Sequence, residues 1–182
     1  MNKRVLGVSA GLAGIAALLL GLQSVQWVVG TDFGIETHVG LRVMELCQVV
    51  QPDADRPGEE ACSRVSHADI ARSPSKLDGF DTFSMVSHIT FGAGLVAVGL
   101  LLIVILLALV RRYPSGSIWT TLAIVASFVT LVSIALTLGV HPWKEIGWGT
   151  GYSIFLAGGG AAACLFSSIL LGQLRPPVQD SW

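Results

Sequence analysis

Four long apolar stretches organise the chain: Val5 to Val29, Met85 to Val110, Ile118 to Val140 and Tyr152 to Leu174. None contains Asp, Glu, Lys or Arg. Crossing a hydrocarbon core about 30 Å thick takes roughly 20 consecutive apolar residues. Lipid offers the backbone no hydrogen-bond partners, so a single spanning segment has to be helical. The pattern therefore predicts four transmembrane helices, at about 5–29, 85–110, 118–140 and 152–174. The run RRYPSG at 111–116 closes the second and RPP at 175–177 closes the fourth. Between the first two lies a polar segment, about 30–84, predicted as a separate loop domain of one membrane protein spanning 1–182.

Charge placement gives this arrangement a direction. Lys3, Arg4, Arg111, Arg112 and Arg175 all flank the predicted spans on one side, which the positive-inside rule makes cytoplasmic. Both termini then lie inside, and residues 30–84 and the turn HPWKEIGWGTG lie outside. Ten of the 12 acids (Asp32, Glu36, Glu45, Asp53, Asp55, Glu59, Glu60, Asp69, Asp78 and Asp81) fall in that one outer segment. The opening MNKR before an apolar run also resembles a secretory signal. However, the run outlasts the usual ~7–15 residues and no A-x-A cleavage site precedes Trp27, so retention as a helix is expected. The implied location is an integral protein of the plasma or bacterial inner membrane.

Composition strengthens the membrane reading: 52% of the 182 residues are hydrophobic and 13% charged, against about 25% charged in soluble domains. A net charge of −1 leaves no basic face for nucleic acid. Lipid is as apolar as leucine, so helices associate where small residues let backbones approach. Gly7, Gly11 and Gly14 in the first span and Gly158, Gly159 and Gly160 in the fourth are the candidate packing positions. Trp27, Trp119, Trp143 and Trp148 fall near span ends, where indoles are expected at the headgroup level.

Cys47 and Cys62 lie in the outer segment with fourteen residues between them, in the compartment where disulfides persist. LRVMELCQVV is rich in strand-forming residues, and ACSRVSHADI supplies a partner across PDADRPG. Two strands turning around a polar tip and stapled at their bases are predicted. A reactive redox pair is the other reading, although neither C-x-x-C nor a second pair is present. Cys164, within the fourth span, reads as a small buried residue.

Trp27, Gly40 with Leu41, Cys47 and Cys62, set in a chain of four spans, resemble the W…GLW…C…C signature of the claudin and peripheral-myelin-protein superfamily, which includes the calcium-channel gamma subunits. GYSIFLAGGGAAACLF is similar to that family's small-residue fourth helix. The resemblance implies a four-helix membrane bundle, all-α in its spans, with a small disulfide-stapled extracellular β-sheet in the first loop. The pattern departs at Arg42, where the family has Trp, and at the C-terminal VQDSW, which lacks a Tyr-Val ending.

Candidate chemistry is sparse. His38, His67, His88 and His141 suggest a metal or haem site only weakly, since a haem-binding bundle wants facing histidines at depth. Ser66, His67 and Asp69 are too close in sequence to imply a hydrolase, and the spans carry no charge or proline of the kind carriers place at the midplane. The expected function is non-enzymatic, with no catalytic residue, metal or cofactor. Its predicted partners are the bilayer and other membrane proteins or copies of itself, met through Asp53, Asp55, Arg56, Glu59 and Glu60. The rivals are an accessory subunit of a channel or respiratory complex, and a quinone-linked thiol oxidase using Cys47 and Cys62.

Overall fold

A computed structural model describes residues 2–32, 35–49, 60–73, 78–110, 118–143 and 147–174. In chain order the elements are α1 (Lys3–Gln23), β1 (Val28–Asp32), β2 (Ile35–Val39), β3 (Val43–Val49), β4 (Glu60–Ser66), α2 (His67–Arg72), α3 (Phe80–Leu109), α4 (Ile118–Val140), β5 (Gly149–Thr150) and α5 (Tyr152–Gly172). The helices α1, α3, α4 and α5 are long and apolar enough to cross a membrane. They pack as a bundle, α1 against α5, α5 against α4, α4 against α3 and α3 back against α1. One antiparallel sheet, in the order β4-β3-β2-β1-β5, caps one end.

Buried positions in the bundle recur with a seven-residue period. They run Gly7, Gly11, Gly14, Leu18, Gly21 in α1 and Phe83, Ser87, Thr90, Gly94, Ala97, Leu101, Val104, Ala108 in α3. Thr120, Ala123, Ser127, Thr130, Ile134, Thr137 follow the same spacing in α4, as do Ala157, Gly160, Cys164, Ser167, Leu171 in α5. Such 3.5-residue spacing keeps one seam facing its neighbours only if the helices coil left-handedly around one another. The seams alternate glycine, alanine, serine and threonine with larger residues such as Leu18, Leu101, Ile134 and Leu171, while other large apolar side chains, such as Phe155 (71% exposed) and Phe128 (58%), point away from the bundle.

Close backbone approach holds α1 to α5. A Cβ at Gly21 would lie 2.6 Å from the Ala157 amide nitrogen, and one at Gly160 would run into that of Leu18. Ser167 Oγ donates across the same seam to the Gly7 carbonyl at 2.7 Å. Between α3 and α4 the hydroxyls of Thr90 and Thr137 meet at 2.9 Å. Gly158 and Gly159 do not share this role: a Cβ at either meets nothing within 4 Å. The glycine run predicts three packing positions, and the helical turn brings only Gly160 to the seam.

Helix ends also depart from the apolar pattern. The first apolar run predicts helix to Val29, but α1 stops at Gln23 and Val28–Val29 join β1. A continuous apolar run does not by itself distinguish helix from strand. Here Ser24 is extended, its Oγ accepts the Gln26 N–H at 3.2 Å, and the Trp27 indole N–H donates 2.7 Å to the Gly21 carbonyl. That bond satisfies one of the carbonyls a helix end leaves open. The helix α3 begins at Phe80, before the predicted Met85, because Phe80 and Phe83 extend its buried seam towards the sheet. The helix α4 has its predicted bounds, and α5 ends two residues early. Arg111, Arg112, Arg175 and Lys144 lie outside the described residues.

Gly160→Ala should lower stability by about 1–3 kcal/mol, because its methyl meets backbone that cannot rotate away. Gly159→Ala should be neutral or add up to ~1 kcal/mol through helix propensity. Thermal unfolding of the purified chain in detergent separates the two, and equal effects would contradict this packing.

Candidate functional site

The sheet has two chemically different faces. Its register pairs Val28 with Val39, Val39 with Met44 and Met44 with Val65, which places these residues on one face. Val28 and Val39 bury against Phe80, Phe83 and Trp143, with Met44, Ile70, Ala71 and Trp148 packed around them. The Trp143 and Trp148 rings stack at 5.7 Å, and Trp143 meets Phe83 edge-on at 5.1 Å. The sheet is thus welded to the bundle end by an aromatic layer. Trp27 and Trp143 are 0% and 2% exposed, so they are core residues, whereas headgroup anchoring was expected of them. Trp119, at 42%, faces outward.

The opposite face carries Glu36, His38, Glu45, Cys47, Cys62 and Arg64. Arg64 Nε donates to Glu45 Oε1 at 2.9 Å, and His38 Nε2 lies 3.4 Å from Glu36 Oε1. Cys47 and Cys62 are directly paired across β3 and β4 and form a disulfide. The ladder continues from the bond to Val43↔Ser66, so the staple sits at the loop end of the hairpin rather than at its foot. Closing a loop of 15 residues is worth about 3 kcal/mol in the chain-entropy account. Cys164 is a free thiol buried within α5. Of the predicted recognition tip, Asp53, Asp55, Arg56 and Glu59 lie outside the described residues, and only the backbone of Glu60, the first residue of β4, is described.

The family-motif residues meet where sheet joins bundle. The Trp27 N–H donates to the Val39 carbonyl at 3.0 Å, and the Trp27 carbonyl accepts from Gly151 N–H at 2.8 Å. Leu41 is buried in the same core as Trp27. At Gly40 a Cβ would lie 2.9 Å from the Ser24 carbonyl oxygen, so close approach of the β2–β3 turn to the end of α1 requires glycine.

Below that turn, sequence reasoning missed a histidine pair. Ser66 caps α2, its Oγ accepting the Asp69 N–H at 3.2 Å and donating to Asp69 Oδ2 at 2.6 Å. This capping turns His67 inward, 1% exposed, against Phe80 and Phe83 with ring centroids at 5.4 and 5.7 Å. His88 stands 6.1 Å away, its Nδ1 donating to the Ser84 carbonyl at 2.7 Å. Neither ring nitrogen of His67 reaches a partner in hydrogen-bonding geometry among the described residues. Burial foremost, and then His88, lower the His67 pKa to about 4, while the Gly40 backbone pulls weakly the other way. His38 is on the outer sheet face and His141 is buried at the end of α4. No group of three or more metal-ligating side chains is gathered among the described residues.

Comparison with known proteins adds no relative: no protein-family model matches the chain, and no curated protein is significantly similar to it.

The His67 environment makes stability pH-dependent. Its folded pKa lies below the ordinary 6.5, so the unfolded chain takes up the proton more readily and stability is lost as pH falls from 6.5 towards 4. The full effect is about 3 kcal/mol. Fluorescence of the Trp143–Trp148 layer, followed from pH 7 to 4, should show a lower acid midpoint in His67→Phe than in the unaltered chain. Identical midpoints would rule out His67 as the source.

Proposed function

We propose that this chain is a claudin-like tetraspan membrane protein, non-enzymatic, that works through its sheet as a recognition surface for a partner membrane protein or further copies of itself. In this reading α1, α3, α4 and α5 span the plasma or bacterial inner membrane, both termini are cytoplasmic, and the disulfide-stapled sheet stands outside. The observation that carries it is a division of labour. The bundle interior interleaves small and hydroxyl side chains with leucine, isoleucine and valine and buries no Asp, Glu, Lys or Arg among the described residues, while charged side chains gather on the sheet as Glu36, Glu45 and Arg64. Large apolar side chains on the outer surface of the bundle suit lipid.

The claudin likeness is supported by what its motif residues do. Trp27, Gly40 and Leu41 fasten sheet to bundle, and Cys47–Cys62 staples the neighbouring hairpin. A structural role suits the disulfide better than electron transfer, because its sulfurs join adjacent strands and the remaining cysteine is buried in α5. An accessory subunit of a larger complex is the form of this proposal in which the partner is a channel or respiratory enzyme.

The test places a photo-crosslinking amino acid at Arg64, on the polar sheet face, or at Phe155, on the apolar flank of α5, and irradiates native membranes. A discrete protein adduct is expected from position 64 and lipid adducts from position 155. Position 64 yielding no protein adduct would overturn recognition by this face.

A further inference from the structure

We infer that the cleft beside Arg42 is a binding site for the phosphate of a membrane phospholipid, in the leaflet on the sheet side; the inference rests on the membrane reading above. A cavity of about 470 Å³ opens where the end of α1, the β2–β3 turn and α3 converge. That volume is in the range of small-molecule sites. Its lining changes character from bottom to top. Leu22, Leu41 and Phe91 form an apolar wall, and Gln23, Ser24 and Arg42 form a polar rim.

The rim offers hydrogen-bond donors. The Arg42 guanidinium stacks over the Phe91 ring, 5.1 Å from its centroid. Its side chain is exposed, and it forms no ion pair with a carboxylate among the described residues. Ser24 Oγ accepts from Ser153 Oγ at 2.5 Å and from the Gln26 N–H at 3.2 Å, which leaves its own proton available. Asp69, which follows the lining residue Ser66 by three positions, is engaged by Ser66 at 2.6 Å and lies 3.8 Å from Arg72. Among the described residues, the cleft therefore holds a planar cation with no carboxylate paired to it. Guanidinium forks match phosphate oxygens two at a time, and a ring beneath the cation holds the fork in place.

Depth selects a lipid as the source of that phosphate. From Phe91 to Leu109 the helix α3 runs roughly 27 Å at 1.5 Å per residue, close to the ~30 Å of a hydrocarbon core. The exposed side chains along that stretch are apolar, Leu95, Val96, Leu102, Ile103, Leu106 and Leu109. Arg42 thus stands at the level where acyl chains give way to phosphates, with Leu22 and Phe91 below to receive the first methylenes of a chain. Basic pockets beside membrane helices are a recognised form of lipid headgroup site.

Native mass spectrometry of the full chain in mild detergent provides the test, with phosphatidylglycerol, phosphatidylcholine, diacylglycerol and inorganic phosphate as separate probes. One phospholipid should bind at least tenfold more tightly than diacylglycerol, whichever headgroup it carries, and millimolar inorganic phosphate should not displace it. Arg42→Gln should weaken binding at least fivefold, Arg42→Lys less, and Arg72→Gln not at all. Intact disulfide and unchanged melting in Arg42→Gln show that the loss is local. Equal binding of diacylglycerol, or undiminished binding by Arg42→Gln, would overturn the site, and displacement by inorganic phosphate would replace the lipid with a soluble anion. Carbonate washing of native membranes separates the premises: release of the chain would defeat the membrane reading itself, whereas retention with unaltered Arg42→Gln binding defeats only the site.

Discussion

The Trp27 junction determines how the sheet sits on the bundle. Its indole N–H closes on the end of α1 at Gly21, its backbone N–H on β2 at Val39, and its carbonyl on Gly151 at the start of α5. Three elements distant in sequence are bonded through one fully buried residue. The Ser153 N–H adds a bond to the Gln26 carbonyl at 3.3 Å, so the start of α5 is held to the chain leaving α1 at two successive residues. A Cβ at Gly151 would collide with the Gln26 carbonyl, so this crossing requires glycine. The strand β5 then adds to β1 at the sheet edge, which draws the segment before α5 into the same cap.

Below that junction the bundle is apolar outside as well as within, and its hydroxyls lie inside. Glycine, serine and threonine recur in the seams among leucine and isoleucine, and the outside is covered by leucine, isoleucine, valine and phenylalanine. Such an arrangement follows when the solvent is apolar, because large side chains gain little from burial and association depends on close contact and interhelical hydrogen bonds. The bonds Ser167–Gly7 and Thr90–Thr137 are of that kind. A bundle filled this way is well suited to hold a platform. Two polar features open to the surface among the described residues, the Glu45–Arg64 pair and the Arg42 cleft, lie at the sheet end.

Sequence reasoning found the features that length and composition control. Four apolar runs of bilayer length became four helices, and two cysteines flanking a polar tip became a staple. It failed where one apolar run serves two structures: Val28 and Val29 look helical beside Leu20 and are strand because Trp27 turns back onto Gly21. The strands β1, β2 and β5 were missed with them, although Val28 to Val39 carries β-branched residues on both sides of Phe33-Gly34. Hydrophobic periodicity could not reveal the bundle seams, since both faces of each helix are apolar. The spacing of small and hydroxyl residues, as in Thr120 and Ser127, Thr130 and Thr137, and Gly7, Gly14 and Gly21, was the available signal. His67 was hidden for a different reason: its burial depends on α3 arriving from beyond residue 80. Arg42, which departs from the claudin pattern in sequence, lines an amphipathic cleft between the end of α1 and α3.

The central claim is that the stapled sheet stands outside a membrane crossed four times. It is tested most directly by inserting a sequence-specific protease site between Asp55 and Arg56 and adding the protease to sealed cells. The account predicts cleavage from outside, with the two fragments running together on a non-reducing gel through Cys47–Cys62 and separating only after reduction. Cleavage solely in vesicles of the opposite orientation, or fragments that separate without reductant, would contradict it.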